Sequence, residues 1–204
     1  MKHTNEEILA LIKDFADRAH GDQVRKYIPR RYMVHPFRVM KRCRKYTDDV
    51  TVLAAALLHD VIEDTHVTPD ILTAFLKTVT DPHTAGKIVN IVVELTDVYT
   101  EANFPFLDRQ QRRTMEAARL EHVSKEAQMI KYADIMDNAN EIVEFDPDFA
   151  MIYLNECMNF LHKMVKGNLQ LYHLAIVKVH ARLKRCKLLS GPKEKQETEL
   201  SMQF

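Results

Sequence analysis

Residues 53–65 read LAAALLHDVIEDT, in which six residues suited to a protein interior run straight into a histidine, an aspartate and then a glutamate–aspartate pair. This junction constrains the chain more than any other feature. Charged groups are seldom buried unless they are paired or coordinate a metal. The apolar run fixes a helix in the core, so its polar end must sit where those side chains have something to hold. The pattern predicts one helix that starts at Asp48 or Asp49 and carries through Thr65.

The remaining sequence also favours helices. Only four glycines and seven prolines occur in 204 residues, and Ala, Leu, Met, Lys and Glu are abundant. Thr4 can cap a first helix whose apolar positions Ile8, Leu11, Ile12, Phe15 and Ala19 recur at helical spacing, ending by Gly21. Residues 22–34, DQVRKYIPRRYMV, read as a basic loop with Pro29 as its breaker. A helix then begins at HPFRVMKRCRKY, with Pro36 in a favoured early position. Thr68-Pro69-Asp70 opens another helix, and residues 84–96 a further one. Residues 97–108 read as a loop, followed by helices over Gln110–Val123 and Ser124–Glu144. After Asp146-Pro147-Asp148 one long helix is expected from Phe149 to about Leu189. No strand, repeat or second domain is read. The expectation is an all-α helical bundle in a single domain, 1–189, with a polar, disordered tail over 190–204.

Formal net charge is zero, so no bulk attraction to nucleic acid or an acidic membrane is implied, and any anion-binding surface must be local. No apolar run approaches a membrane span, and the charged N-terminus lacks a signal-peptide core. Three widely spaced cysteines, Cys43, Cys157 and Cys186, fit a reducing compartment and a cytoplasmic protein. Cys43, within KRCRK, reads as an ordinary helix-surface cysteine.

In a helix His59 and Asp60 point about 100° apart, so both can reach an ion lying between their directions. An imidazole and a carboxylate together suit Mn²⁺, Fe²⁺ or Zn²⁺ better than Ca²⁺. Further ligands must come from elsewhere. His35 starts a helix, and Asp134 sits in MIKYADIMDNAN, an otherwise apolar stretch. His35, His59, Asp60 and Asp134 would form a two-histidine, two-carboxylate site that leaves positions open for water and substrate. Each residue alone is ordinary; four candidate ligands on apolar helical segments together point to a metal. Glu63 or Asp64, one turn beyond, could position the water or take its proton.

These residues carry a family resemblance. His35-Pro36, AALLHDVIEDT at 55–65 and IKYADIMDN at 130–138 resemble the HD-domain phosphohydrolases, in particular the hydrolase domain of RelA/SpoT-type alarmone enzymes and their small stand-alone relatives. The resemblance spans about residues 8–180. It implies that His35, His59, Asp60 and Asp134 bind a metal, commonly Mn²⁺, and that Glu63 and Asp64 activate water. It implies that Arg25 and Lys26 meet a phosphorylated nucleotide and that Asn138 contacts it. The implied reaction removes the 3′-pyrophosphate of guanosine tetra- or pentaphosphate, giving GDP or GTP and pyrophosphate. No synthetase half accompanies these motifs, so the expected role is removal of alarmone alone.

The family's ADRLHN is ADIMDN here, with Ile135 in place of Arg and Asp137 in place of His, and Glu141 adds a further negative charge nearby. Pro29 replaces the usual glycine of the preceding loop. These departures keep open an HD-type reaction on another nucleotide, such as an adenosine alarmone, NADPH or a nucleotide monophosphate. A non-catalytic nucleotide sensor is the alternative of a different class; for it, Leu169, Leu171, Ile176 and Val179 would serve a partner. A second basic cluster, Arg109, Arg112 and Arg113, reads as a solvated helix face. Homo-oligomerisation is left open.

Overall fold

The computed structural model describes residues 3–189; the tail expected over 190–204 lies outside the described residues. Ten helical segments follow one another. They are α1 (Asn5–His20), α2 (Val34–Cys43), α3 (Val50–Leu58), α4 (Val61–Asp64) and α5 (Pro69–Val79), then α6 (Pro82–Leu95), α7 (Arg109–Leu120), α8 (Lys125–Phe145), α9 (Pro147–Lys163) and α10 (Leu169–Leu189). Among the described residues the only strand-like pairing is an isolated bridge between Val24 and Arg31.

Local chemistry sets most boundaries. Thr4 and Glu7 form a capping box on α1, satisfying donors that the first turn leaves unpaired. Gly21 ends that helix at φ 55°, a conformation that costs other residues a steric penalty, and its N–H bonds Asp17 O at 3.1 Å. Asp49 caps α3, Thr68 caps α5 with Pro69 at its first position, and Ser124 caps α8.

Helices α3 and α8 form the centre. Residues Val52 through Leu58 are all buried, and α3 packs on α1, α2, α6 and α8. Helix α8 is apolar around much of its circumference, from Ala127 and Ile130 to Tyr132, Ala133 and Ile135, and it is enclosed by α2, α6, α9 and α10. Polar side chains on such a helix are confined to a site or a bonded network.

Two helices expected to be continuous are broken. The helix from Asp49 stops at Leu58, and His59 and Asp60 make a turn before α4. Asp60 sits at φ −98°, ψ −5°, between helical and extended geometry. The second break separates α9 from α10 over residues 164–168. Here Tyr132, buried on α8, donates its hydroxyl to Met164 O at 2.6 Å and accepts from Gly167 N at 3.2 Å, while Lys166 N donates to Gln128 at 2.7 Å. Backbone groups that a longer helix would keep for itself are spent on satisfying these buried polar side chains. Gly167 permits the approach: a Cβ there would lie 2.5 Å from Tyr132 Cε2.

Two further expectations are corrected. Cys43 lies in the core, and burial pushes its thiol up to about 12. On α10, Leu171 and Val179 are fully buried and Ile176 packs against the core, leaving Leu169 exposed. Most of the positions that could have served a partner are therefore occupied by the protein's own interior.

Candidate metal centre and adjoining pockets

Three elements converge at one end of the core: the first turn of α2 brings His35, the turn after α3 brings His59 and Asp60, and the middle of α8 brings Asp134. His35, His59 and Asp134 are buried and offer ligand atoms within 4.8 Å of one another. His35 Nε2 lies 3.2 Å from Asp134 Oδ1 and 3.5 Å from Asp60 Oδ2. His59 Nε2 lies 3.1 Å from Asp60 Oδ2 and 3.8 Å from Asp134 Oδ1, without the alignment of a hydrogen bond. The four predicted ligand residues are thus brought together.

The outward nitrogen of each imidazole is already committed. His59 Nδ1 donates to Ala56 O at 2.9 Å, and His35 Nδ1 donates to Asp137 Oδ2 at 2.8 Å. Both partners accept only, so both neutral rings carry their lone pair on Nε2, facing the carboxylates. A buried nitrogen without a hydrogen-bond partner, opposite carboxylate oxygens, is the arrangement a divalent cation completes. The donor set of two imidazoles with carboxylates fits a divalent transition metal.

The charges agree with this fit. Burial opposes the charged form of His35, but hydrogen bonds with Asp134 and Asp137 and the charge of Asp60 prevail, raising it to about 9. His59 is raised in the same way, burial being outweighed by Asp60 and Asp134. Asp134 is held well below the usual carboxylate range: burial opposes ionisation, and Lys131 and the two imidazoles overcome it. Lys131 Nζ lies 3.1 Å from Asp134 Oδ2. At both histidines the carboxylates outweigh burial, so the centre favours positive charge.

Beside it is a cavity of about 250 Å³. Asp60, Glu63, Asp64, Asp97 and Asp134 line it against Arg25, Arg113 and Lys131, an excess of negative charge. Glu63 reaches solvent, yet the protein atoms packed around its carboxylate and next the charge of Asp97, whose N–H donates to it at 3.0 Å, raise it to about 7. Asp64 is also raised, mainly by desolvation. Tyr32 donates to Asp60 Oδ2 at 2.8 Å. Arg25, Tyr32, Asn138 and Tyr153 are shared with a second pocket of about 360 Å³, which adds Lys26, Tyr27, Glu141 and Phe149. A polar, acidic chamber therefore borders a basic and aromatic one.

Arg25, Lys26 and Asn138, expected at the nucleotide, all line this second pocket. Asn138 donates to Asp134 Oδ1 at 2.7 Å and accepts from Arg25 at 2.7 Å. Arg25 also pairs with Glu141 at 3.0 Å, and its guanidinium lies 5.5 Å from the Tyr32 ring centroid. Glu141 is thus neutralised by arginine. Asp137 is likewise paired, with His35 and Arg38, and Ile135 is a buried wall of the acidic chamber.

The basic cluster on α7 is not uniformly solvated. Arg113 is largely covered and pairs with Asp97 at 2.9 Å, while Arg109 pairs with Glu156 at 2.8 Å. Lys131, Tyr32, Asp97 and the buried His20, which stacks on Tyr32 at 4.5 Å, were not singled out by sequence reasoning. Lys131 alone had a signal, an ammonium three residues before Asp134 on an apolar helix.

The fold and the site define a class. The HD-domain family profile matches residues 32–139, more than half of the chain, and the chain belongs to the HD-domain family. Its relatives are more particular. The chain is 29% identical over 160 residues to the guanosine-3′,5′-bis(diphosphate) 3′-pyrophosphohydrolase MESH1 of Homo sapiens, covering 76% of this chain and 80% of that protein. The MESH1 protein of Xenopus tropicalis is similar to the same degree. A probable guanosine-3′,5′-bis(diphosphate) 3′-pyrophosphohydrolase of Mycoplasma pneumoniae is 27% identical over 175 residues, covering 81% of this chain; the chain spans 22% of that protein's length. Among solved structures, a metazoan ortholog of SpoT, described as hydrolysing ppGpp and playing a role in starvation responses, superposes with a TM-score of 0.65. It has 21% identity and covers 90% of this chain and 96% of that one.

Proposed function

We propose that this chain hydrolyses the 3′-pyrophosphate of guanosine tetra- or pentaphosphate, releasing pyrophosphate and GDP or GTP. The observation that carries the reading is the adjacency of the two chambers: a cation-seeking centre lined with carboxylates borders, across Arg25, Tyr32, Asn138 and Tyr153, a pocket of arginine, lysine and aromatic rings, in a chain whose relatives are named for this reaction. His35, His59, Asp60 and Asp134 would hold the metal, and Mn²⁺ is the ion we favour for these nitrogen and oxygen donors. When bound, a divalent cation acidifies water and offsets phosphate charge.

The protein's own groups divide the remaining work. Glu63, raised toward neutrality, accepts the proton of the attacking water, and Asp64 with Tyr32 orients that water. Water adds to the phosphorus bonded to the ribose 3′ oxygen, and that oxygen departs with a proton. Arg25 is fixed by Asn138 and Glu141 and presents a flat cation beside Tyr32, suited to stacking on a base. Lys26, close to Tyr27 and Phe149, offsets phosphate charge. We read residues 1–189 as one hydrolase domain. The cytoplasm is the compartment we infer, which the free cysteines fit.

The test is release of pyrophosphate and GDP from guanosine tetraphosphate with Mn²⁺, with and without a chelator, beside an adenosine alarmone and NADPH. Chelator-sensitive release of both products, abolished in Asp60→Ala, is expected. No release from the guanosine compound, with turnover of another nucleotide, would move the assignment to that nucleotide. Metal binding with no turnover of any substrate would leave a sensor.

A further inference from the structure

We infer that Asp137 is a positioning residue for His35, and that Asp137, Arg38 and Glu141 form one device that aims the His35 imidazole at the metal position. The inference rests on the metal-centre reading above. It gives a role to Asp137 and Glu141, two residues at which the sequence departs from its family.

Asp137 is only 3% exposed. Its Oδ2 accepts from His35 Nδ1 at 2.8 Å and from Arg38 Nε and Nη2 at 3.0 and 2.8 Å. Arg42 Nη1 lies 3.8 Å from the other oxygen. An ionised carboxylate only accepts, so Nδ1 must carry a proton, and the neutral ring has its lone pair on Nε2. That atom is the one 3.2 Å from Asp134 Oδ1. Glu141, one turn further along α8, binds Arg38 with one oxygen and Arg25 with the other. Arg38 is therefore held between two carboxylates and cannot draw Asp137 away from the ring. Neutralising Arg38 alone would not need this geometry, because Arg38 is partly solvent-exposed and already paired with Glu141. The buried Nδ1–H is the group that requires Asp137. Partners of this kind fix the tautomer and ring orientation of metal-binding histidines.

The affinity of the full-length protein for Mn²⁺ is measured by competition with a fluorescent chelator. The nitrogen-15 imidazole signals of His35 are recorded in the metal-free protein above pH 9, where the ring is neutral, and the circular-dichroism melt is recorded alongside. Asp137→Ala is expected to weaken Mn²⁺ binding by about 10–100-fold and to shift the His35 ring signals toward a tautomer mixture. Asp137→Asn, whose amide oxygen still accepts from Nδ1, recovers part of the affinity, and Arg38→Met loses less than Asp137→Ala. Unchanged affinity and ring signals in a folded Asp137→Ala protein would overturn the inference. Should that variant not fold, unchanged affinity in both Asp137→Asn and Arg38→Met would do so. Failure of the unmutated protein to bind Mn²⁺ would remove the metal-centre reading and the inference with it, whereas Mn²⁺ binding by the unmutated protein with no loss in the variants would remove the inference alone.

Discussion

His59 Nε2 and the carboxylate of its chain neighbour Asp60 approach to 3.1 Å where α3 gives way to α4. In an unbroken helix adjacent side chains diverge by about 100°. Through the turn after Leu58 His59 keeps φ −58°, ψ −30° and Asp60 takes φ −98°, ψ −5°, so the two side chains reach one centre from different directions, Asp60 at 3.5 Å from His35 and His59 at 3.8 Å from Asp134. The apolar run holds the last turn of α3 in place while its polar continuation is free to bend toward the centre.

That convergence predicts a stabilising cation. A ligand that binds only the folded chain adds about 2.7 kcal/mol at a hundred times its dissociation constant. Mn²⁺ should raise the melting temperature in a concentration-dependent way. His59→Ala and Asp134→Ala should each abolish most of the rise, read by differential scanning calorimetry with and without chelator. An identical rise in Asp134→Ala would place the ion elsewhere.

The metal-free protein should lose stability across a defined pH window. His35 is raised from 6.5 to about 9 by neighbours that outweigh its burial. A raised pKa means the folded state holds the proton more tightly. The contribution is therefore fully present below 6.5 and is lost as pH rises through about 9. The same proton competes with a cation, so metal affinity should run the opposite way, rising over this window by up to about tenfold per pH unit. Chelator competition at several pH values checks it; a flat affinity would mean that no proton leaves His35 on binding.

The grouping proposed to hold a metal was legible in the sequence because its members interrupt apolar helices: His59-Asp60 after LAAALL, and Asp134 within a stretch that is otherwise core. Helix starts were legible for the same local reason, as at Thr4, Thr68 and Ser124, where the capping side chain is in the sequence itself. The breaks were not. Nothing between Met164 and Asn168 except Gly167 marks an interruption, because the cause is Tyr132, distant in sequence, which needs a partner for its hydroxyl. Lys131, Tyr32 and Asp97 escaped notice because their roles exist only after three helices and a loop have met. Asp137 read as a disturbance of the substrate pocket, whereas its partners, His35 and Arg38, lie on α2.

The α9–α10 break predicts intolerance at Gly167. An added Cβ would lie 2.5 Å from the Tyr132 ring and 3.0 Å from Met129 N. The ring is fully buried and its hydroxyl is bonded to Met164 O, so neither neighbour can move freely. Gly167→Ala should destabilise by about 1–3 kcal/mol, the range for overpacking, measured by urea unfolding. Turnover per folded molecule should be retained, since Gly167 lines neither chamber of the site. A neutral effect would show that Tyr132 yields.

Glu63 offers the sharpest kinetic prediction. Desolvation and then the charge of Asp97 raise it to about 7, with Lys131 opposing. A cation in the centre adds positive charge nearby and favours ionisation, so the acidic limb of the rate profile should fall at or below that value. Rate should climb with pH as the carboxylate becomes able to accept a proton. Asp97→Asn removes the like charge and should move the limb to lower pH. Glu63→Gln keeps the shape and cannot take the proton. It should bind Mn²⁺ as the unmutated protein does, lose about 10²–10⁴-fold in turnover and show no such limb. Metal affinity and initial rates across pH separate these effects, and unchanged turnover in Glu63→Gln would take Glu63 out of the reaction.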